Sequence, residues 1–211
     1  MGFDAKFNIK DQVIIVPFGL EKTVSYGGGT KNAPTQIIKA SHQVELYDEE
    51  LNCEPYKKIG IKTLKPFKID KNINKALEKM ANVNKLIIDK KLFPMTFGGE
   101  HSISIGAIRA FNECFEDLTV LQIDAHTDLR KKYEGSKYNH ACAVYEANET
   151  TNLIQVGIRS MDIAETTVMN KDNVFFAHDM ATDDYWMDNA VELMTDNVYI
   201  INECEDLLPT N

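Results

Sequence analysis

Short apolar runs rich in Val, Ile, Phe and Tyr alternate along the chain with longer stretches whose apolar residues return every three or four positions. The runs predict seven strands, at 13–17, 43–47, 94–97, 119–124, 153–157, 174–177 and 198–201. Several are unbroken rather than alternating, as expected where helices cover both faces of a sheet. Ile73, Leu77, Met80, Val83 and Ile87 predict a helix capped by Asp70, and Ile105, Ile108 and Phe111 another starting near Ser102. A third helix is expected from Pro34, since proline suits a first helical turn. Shorter ones follow near Ala164 and Trp186, with Trp186 read as a packing residue. The alternation predicts an α/β fold with a parallel sheet flanked by helices. No repeat, low-complexity tract or linker divides residues 1–211, so a single domain is expected.

Composition narrows the function. With 211 residues, 44% apolar and 26% charged, the chain can build a core without disulfides or a metal staple, so any metal would serve chemistry. Lys and Arg total 23 against 32 Asp and Glu, and the net charge of -9 argues against nucleic acid and for a neutral or cationic small molecule. The apolar runs are too short to cross a bilayer, and residues 1–10 carry no signal-peptide core, so a cytoplasmic protein is expected. Cys53, Cys114, Cys142 and Cys204 form no Cys-x-x-Cys pair and read as reduced thiols, Cys142 as a small buried hydrophobe. Gly27, Gly28 and Gly29 lack the spacing and the lysine of a phosphate-binding loop. Asp48, Glu49, Glu50 and Glu54 read as a solvated face.

Three clusters stand at the C-terminal ends of predicted strands, where ligand sites of parallel α/β sheets are built. In the first, Gly98 to Ser102, two glycines turn the chain off the strand and leave His101 over the sheet edge. The second is Asp124, Ala125, His126, Thr127, Asp128. Residues two apart on an extended chain share a side, so Asp124 and His126 converge and Asp128 returns to them as the strand curls. Such a set repels itself unless a cation lies within it, and carboxylates with imidazole and no thiolate suit manganese or a similar divalent ion. The third, Glu203, Cys204, Glu205, again sets two carboxylates two apart.

Gly-Gly-Glu-His-Ser at 98–102, Asp-Ala-His-Thr-Asp at 124–128 and Tyr-Asn-His-Ala at 138–141 resemble the ureohydrolase family of arginases and agmatinases. The segment 24–43 is similar to the substrate-loop and first-helix region of agmatinases, and Val156 to Arg159 to a family strand end where Arg159 reads as structural. The resemblance implies a three-layer arginase-like fold, two manganese ions at the end of a parallel sheet, and hydrolysis of a guanidino compound, agmatine first, to urea and an amine. His101, Asp124 and Asp128 would bind one ion, and His126 with a bridging Asp124 the other. Asp128 would accept a hydrogen bond from the nucleophile, and His140 would pass a proton to the departing amine. His42 and His178 match no ligand position and read as structural.

The chain departs from the family at the third motif, where two aspartates are expected and Glu203 and Glu205 stand. An added methylene shifts a carboxylate by more than ligand distances tolerate, about ±0.2 Å, so the second ion depends on backbone retreat. The family also continues for about a quarter of its length past this chain's end, with a strand beside the third motif. An incomplete C-terminal part and an unpaired sheet edge are therefore expected. Beside the hydrolase reading stand a non-catalytic relative that binds or oligomerises, and a mononuclear hydrolase using His101, Asp124 and Asp128 alone. Exposed sheet edges and family habit favour a homo-oligomer.

Overall fold

Ile14, Val16 and Phe18, at alternate positions of the first strand, are fully buried, and this inward face seeds the N-terminal core. The computed structural model describes residues 11–182 and 184–203, which divide between Ile103 and Ser104 into two compact units.

The first unit runs β1 (Asp11–Phe18), α1 (Ala33–Ala40), β2 (Gly60–Thr63), α2 (Ile73–Ile88) and β3 (Phe93–Gly98). Its sheet has the order β2-β1-β3, all parallel, with Val13 opposite Phe93 and Phe18 opposite Gly98. Val83 and Ile87 of α2 pack with Ile14, Val16 and Leu64, and Leu77 and Met80 of the same stripe are also buried. That stripe is the one the periodicity predicts. The N-cap is Asn72, whose side chain accepts from the amides of Asn74 and Lys75; Asp70, expected as the cap, sits two residues earlier and accepts from the Asn72 amide at 2.8 Å. Pro34 lies in the first turn of α1, as expected.

The run at 43–47 is not a strand. Ser41–Gln43 form a 3-10 turn, Val44, Leu46 and Tyr47 are exposed, and Asp48 pairs with Cys53 in an isolated antiparallel bridge. An alternating pattern makes a strand only where a partner and a core face receive it. The strand beside β1 is the four-residue β2, an edge strand containing Lys62, too short and too polar to stand out in the sequence.

The second unit holds α3 (Ile103–Cys114) apart from its first residue, then β4 (Leu118–Ile123), α4 (Tyr145–Thr150), β5 (Asn152–Ile158), β6 (Val174–Phe176), α5 (Ala177–Met180), α6 (Tyr185–Glu192) and β7 (Asn197–Asn202). Its sheet is also parallel, in the order β6-β5-β4-β7. One layer buries Ile108, Val120, Leu129, Val144, Leu153 and Ile201, with Phe111 and Tyr199 against them. On a second cluster, Trp186 and Met194 pack against Ile154, Val156 and Ala190. The expected helix near Ala164 is a 3-10 stretch, Ile163–Thr167, closed by a capping box between Asp162 and Glu165. Among the described residues β7 pairs on one side only, with β4. No described helix is long and apolar enough to cross a membrane.

Candidate metal centre

The ladder between β4 and β5 continues past the ends of both strands, and this shapes the 124–128 segment. The Asp124 amide donates to Val156 O at 3.0 Å, and Ala125 O accepts from the amides of Arg159 and Ser160 at 2.9 Å each. Gly157 adopts φ +89°, and a Cβ there would stand 3.2 Å from the Asp124 carbonyl oxygen, so glycine lets β5 approach this backbone. Arg159 thus has a main-chain part in the pairing, while its side chain donates to Gly157 O at 3.2 Å.

Asp124 is 1% exposed. Its Oδ1 accepts from the His126 amide at 2.8 Å and its Oδ2 from Gln122 Nε2 at 2.7 Å. Asp128 follows at φ +48°, a left-handed conformation that aspartate tolerates better than most residues. Two bonds fix it: Asp128 O accepts from the Val144 amide at 3.4 Å, and the next amide, Leu129 N, donates to Glu165 Oε1 at 2.7 Å. Asp124 and Asp128 each bring a carboxylate oxygen within 4.8 Å of the other. Two carboxylates so close, one of them buried, repel unless a proton or a cation lies between them. His126 keeps a half-exposed ring with Nδ1 3.6 Å from Asp124 Oδ1, beyond hydrogen-bond range but suited to two donors facing one ion. Oxygen donors with imidazole and no thiolate fit a manganese-type cation.

The other expected residues occupy different places. His140 lies on the 3-10 turn His140–Cys142, where Asn139 Oδ1 accepts from the Ala141 amide at 3.0 Å. The His140 ring is half-buried, edge-on to Tyr133 with centroids 6.1 Å apart. Arg130 stacks over the same tyrosine at 4.7 Å and pairs with Asp162 at 3.1 Å. Glu203 continues the β7 pairing, its amide donating to Ile123 O at 3.1 Å. Glu205 lies outside the described residues, as does Cys204. Among the described residues, His126, His140 and Glu203 belong to no close group of three ligand atoms. His42 is exposed, and the His178 ring stacks on Phe176 with centroids 5.5 Å apart. Burial pushes the Cys142 thiol up to about 11, helped by the Asp128 carboxylate, which keeps it protonated and inert.

In the first unit, His101 is 6% exposed in the turn after β3. A Cβ on Gly99 would fall 2.0 Å from Leu20 O, so only glycine permits this turn. The Glu100 carboxylate, buried to 4%, accepts from the amides of Lys22 and Thr23, from Thr23 Oγ1 at 2.9 Å and from Ser102 Oγ at 2.6 Å. The loop after β1 is therefore tied to the segment bearing His101, and the Ser102 hydroxyl donates to Glu100. The long-range bonds of Glu100 and Glu165 escape a reading by spacing because Lys22, Thr23 and Leu129 lie 78, 77 and 36 residues away. Gln122 and Gln155 do leave a signal, as polar residues inside otherwise apolar strands.

A family model described as the Arginase family matches residues 11–201. The chain belongs to the arginase family. The N(1)-aminopropylagmatine ureohydrolase of Synechocystis sp. is 36% identical over 193 residues, which are 87% of this chain and 63% of that protein. An agmatinase of Bacillus cereus is 31% identical over 158 residues, 72% of this chain and 53% of its own length. The chain thus spans less than two thirds of either arginase-family relative. The crystal structure of agmatine ureohydrolase of Thermoplasma volcanium matches with a TM-score of 0.78 at 28% identity, covering 92% of this chain and 66% of that one. The parallel α/β architecture is accordingly the arginase fold.

Proposed function

We propose that this chain carries the metal centre of a manganese-dependent ureohydrolase that splits a cationic guanidino amine into urea and an amine. The observation that carries the reading is the closely opposed pair of buried Asp124 and half-buried Asp128 in an arginase-family chain. Asp124, Asp128 and His126 would hold the manganese, two ions being expected, with Glu203 and Glu205 as further carboxylates. When bound, the ions supply hydroxide near neutral pH.

The chain's own residues supply the rest. Asp128 accepts a hydrogen bond from the attacking water and steadies the charge as the guanidinium carbon becomes tetrahedral. His140, held edge-on to Tyr133, hands a proton to the departing amine. A net charge of -9 draws a cationic substrate. Two substrates stand out, agmatine and its N1-aminopropyl derivative, because relatives at 31% and 36% identity carry those names. The reading includes a cytoplasmic homo-oligomer without nucleic-acid or membrane partners. Urea release from each substrate by the manganese-loaded protein tests it: turnover of either supports it, and turnover of neither with two ions bound refutes it in favour of a binding relative.

A further inference from the structure

Two glutamines stand side by side in the middle of the largely apolar strands β4 and β5. Gln122 and Gln155 are opposite each other in the parallel register, 0% and 1% exposed. Neither touches solvent, so each amide must find partners within the fold. Gln122 Nε2 donates to Asp124 Oδ2 at 2.7 Å and to His126 O at 3.1 Å. Gln155 Nε2 donates to Gln122 Oε1 at 2.7 Å and to Thr127 O at 2.8 Å.

The direction of this chain is set from one end. An ionised carboxylate only accepts, so Gln122 must turn its NH2 toward Asp124, which points its oxygen at β5. Gln155 must then turn its own NH2 toward that oxygen. Each amide spends both donors, one along the chain and one on a carbonyl of the 124–128 segment. Each link polarises the next in a dry interior, and the row ends on the carboxylate.

We infer that Gln122 and Gln155 are positioning residues which aim the Asp124 carboxylate and clamp the 126–127 backbone for metal binding. The inference rests on the metal reading above. Partners that orient a ligand in this way are worth about 10- to 100-fold in metal affinity. Methionine matches glutamine in length and flexibility but donates nothing, so Gln122→Met and Gln155→Met remove the bonds while filling the space.

The test is equilibrium dialysis of Mn2+ against the wild-type chain, both single variants and the double variant, with apo thermal unfolding and circular dichroism measured alongside. Gln122→Met is expected to weaken Mn2+ binding about 10- to 100-fold, and Gln155→Met to weaken it less. Because Gln155 acts largely through Gln122, its substitution in the Gln122→Met background should weaken binding by a smaller factor than it does alone. A purely structural role would lower apo unfolding temperatures and leave the affinity of the folded protein unchanged, which overturns the inference. So would fully multiplicative effects of the two substitutions. A wild-type chain that binds no Mn2+ overturns the metal reading and this inference with it, whereas normal binding by folded Gln122→Met overturns this inference alone. If neither variant folds, side-chain amide hydrogen exchange in the 15N-labelled wild type decides: slow exchange at both glutamines supports the row, and exchange as fast as that of an exposed amide overturns it.

Discussion

Glu165→Gln probes how the fold holds Asp128 in its left-handed conformation. The Glu165 carboxylate is 4% exposed and accepts two main-chain bonds, from Leu129 N at 2.7 Å and Asp162 N at 2.6 Å, one on each oxygen. Glutamine keeps the shape but only one oxygen, so its NH2 must face one of these amides, donor against donor. A hydrogen bond to a charged group is worth about 1.5–3 kcal/mol, and a buried donor left without a partner adds about 1–3 kcal/mol, with overlap between the two. A net loss of about 2–4 kcal/mol is expected, which for a chain of this size lowers Tm by about 5–15 °C. Differential scanning calorimetry of the metal-free protein measures it, since the effect belongs to the fold and precedes any ion. The loosened 128–129 peptide should then show as weaker Mn2+ binding at a temperature where both proteins are folded. A Tm change under about 2 °C would refute the view that Glu165 fixes this turn.

Other consequences follow from named contacts. Gly157→Ala puts a Cβ 3.2 Å from Asp124 O at φ +89°, so a loss of about 1–3 kcal/mol is expected from thermal unfolding, and an unchanged Tm would contradict it. Arg109 donates to both oxygens of Glu146 and holds that carboxyl below its ordinary range. A lowered carboxyl stabilises the fold above its unfolded pKa and loses that contribution as pH falls through the folded one. Glu146→Gln should therefore be less stable than wild type by about 0.5–1 kcal/mol at pH 7, the pair being half-exposed, and the difference should fade below about pH 4. A difference that persists at acid pH would refute the pairing. His126→Ala is expected to lower manganese content, and His140→Ala to keep the manganese and lose about 10²- to 10⁴-fold in urea release. Metal loss in His140→Ala would move that residue into the ligand set.

The sequence discloses the parts of this molecule whose signals are local. The largely apolar runs at 119–124 and 153–157 read as buried strands because both faces of β4 and β5 are covered, and of Asp124, His126 and Asp128, whose spacing suggests a cation, the fold brings the two carboxylates close together. The stripe of α2 is legible for the same reason, with Leu77, Met80, Val83 and Ile87 buried along one face. The misread run at 43–47 has the right alternation, yet no strand pairs with it and its apolar side chains stay exposed. β2 is hidden because pairing with β1, rather than its own composition, makes it a strand. The pairings that support the site are hidden by distance, even where a buried glutamine is itself conspicuous. Gln155 reaches Gln122 across 33 residues and Glu165 reaches Leu129 across 36, and neither spacing carries a repeat that a reader of one chain can see.

Asp124 and Asp128 are proposed to hold catalytic manganese. The most direct measurement is manganese per folded chain after loading and removal of free metal, with urea release from agmatine and N1-aminopropylagmatine followed on the same samples of wild type and Asp124→Asn. Two ions and urea are expected from wild type, with both largely lost in Asp124→Asn. Full manganese and full urea release in Asp124→Asn, or a folded wild-type chain that takes up no manganese, would contradict it.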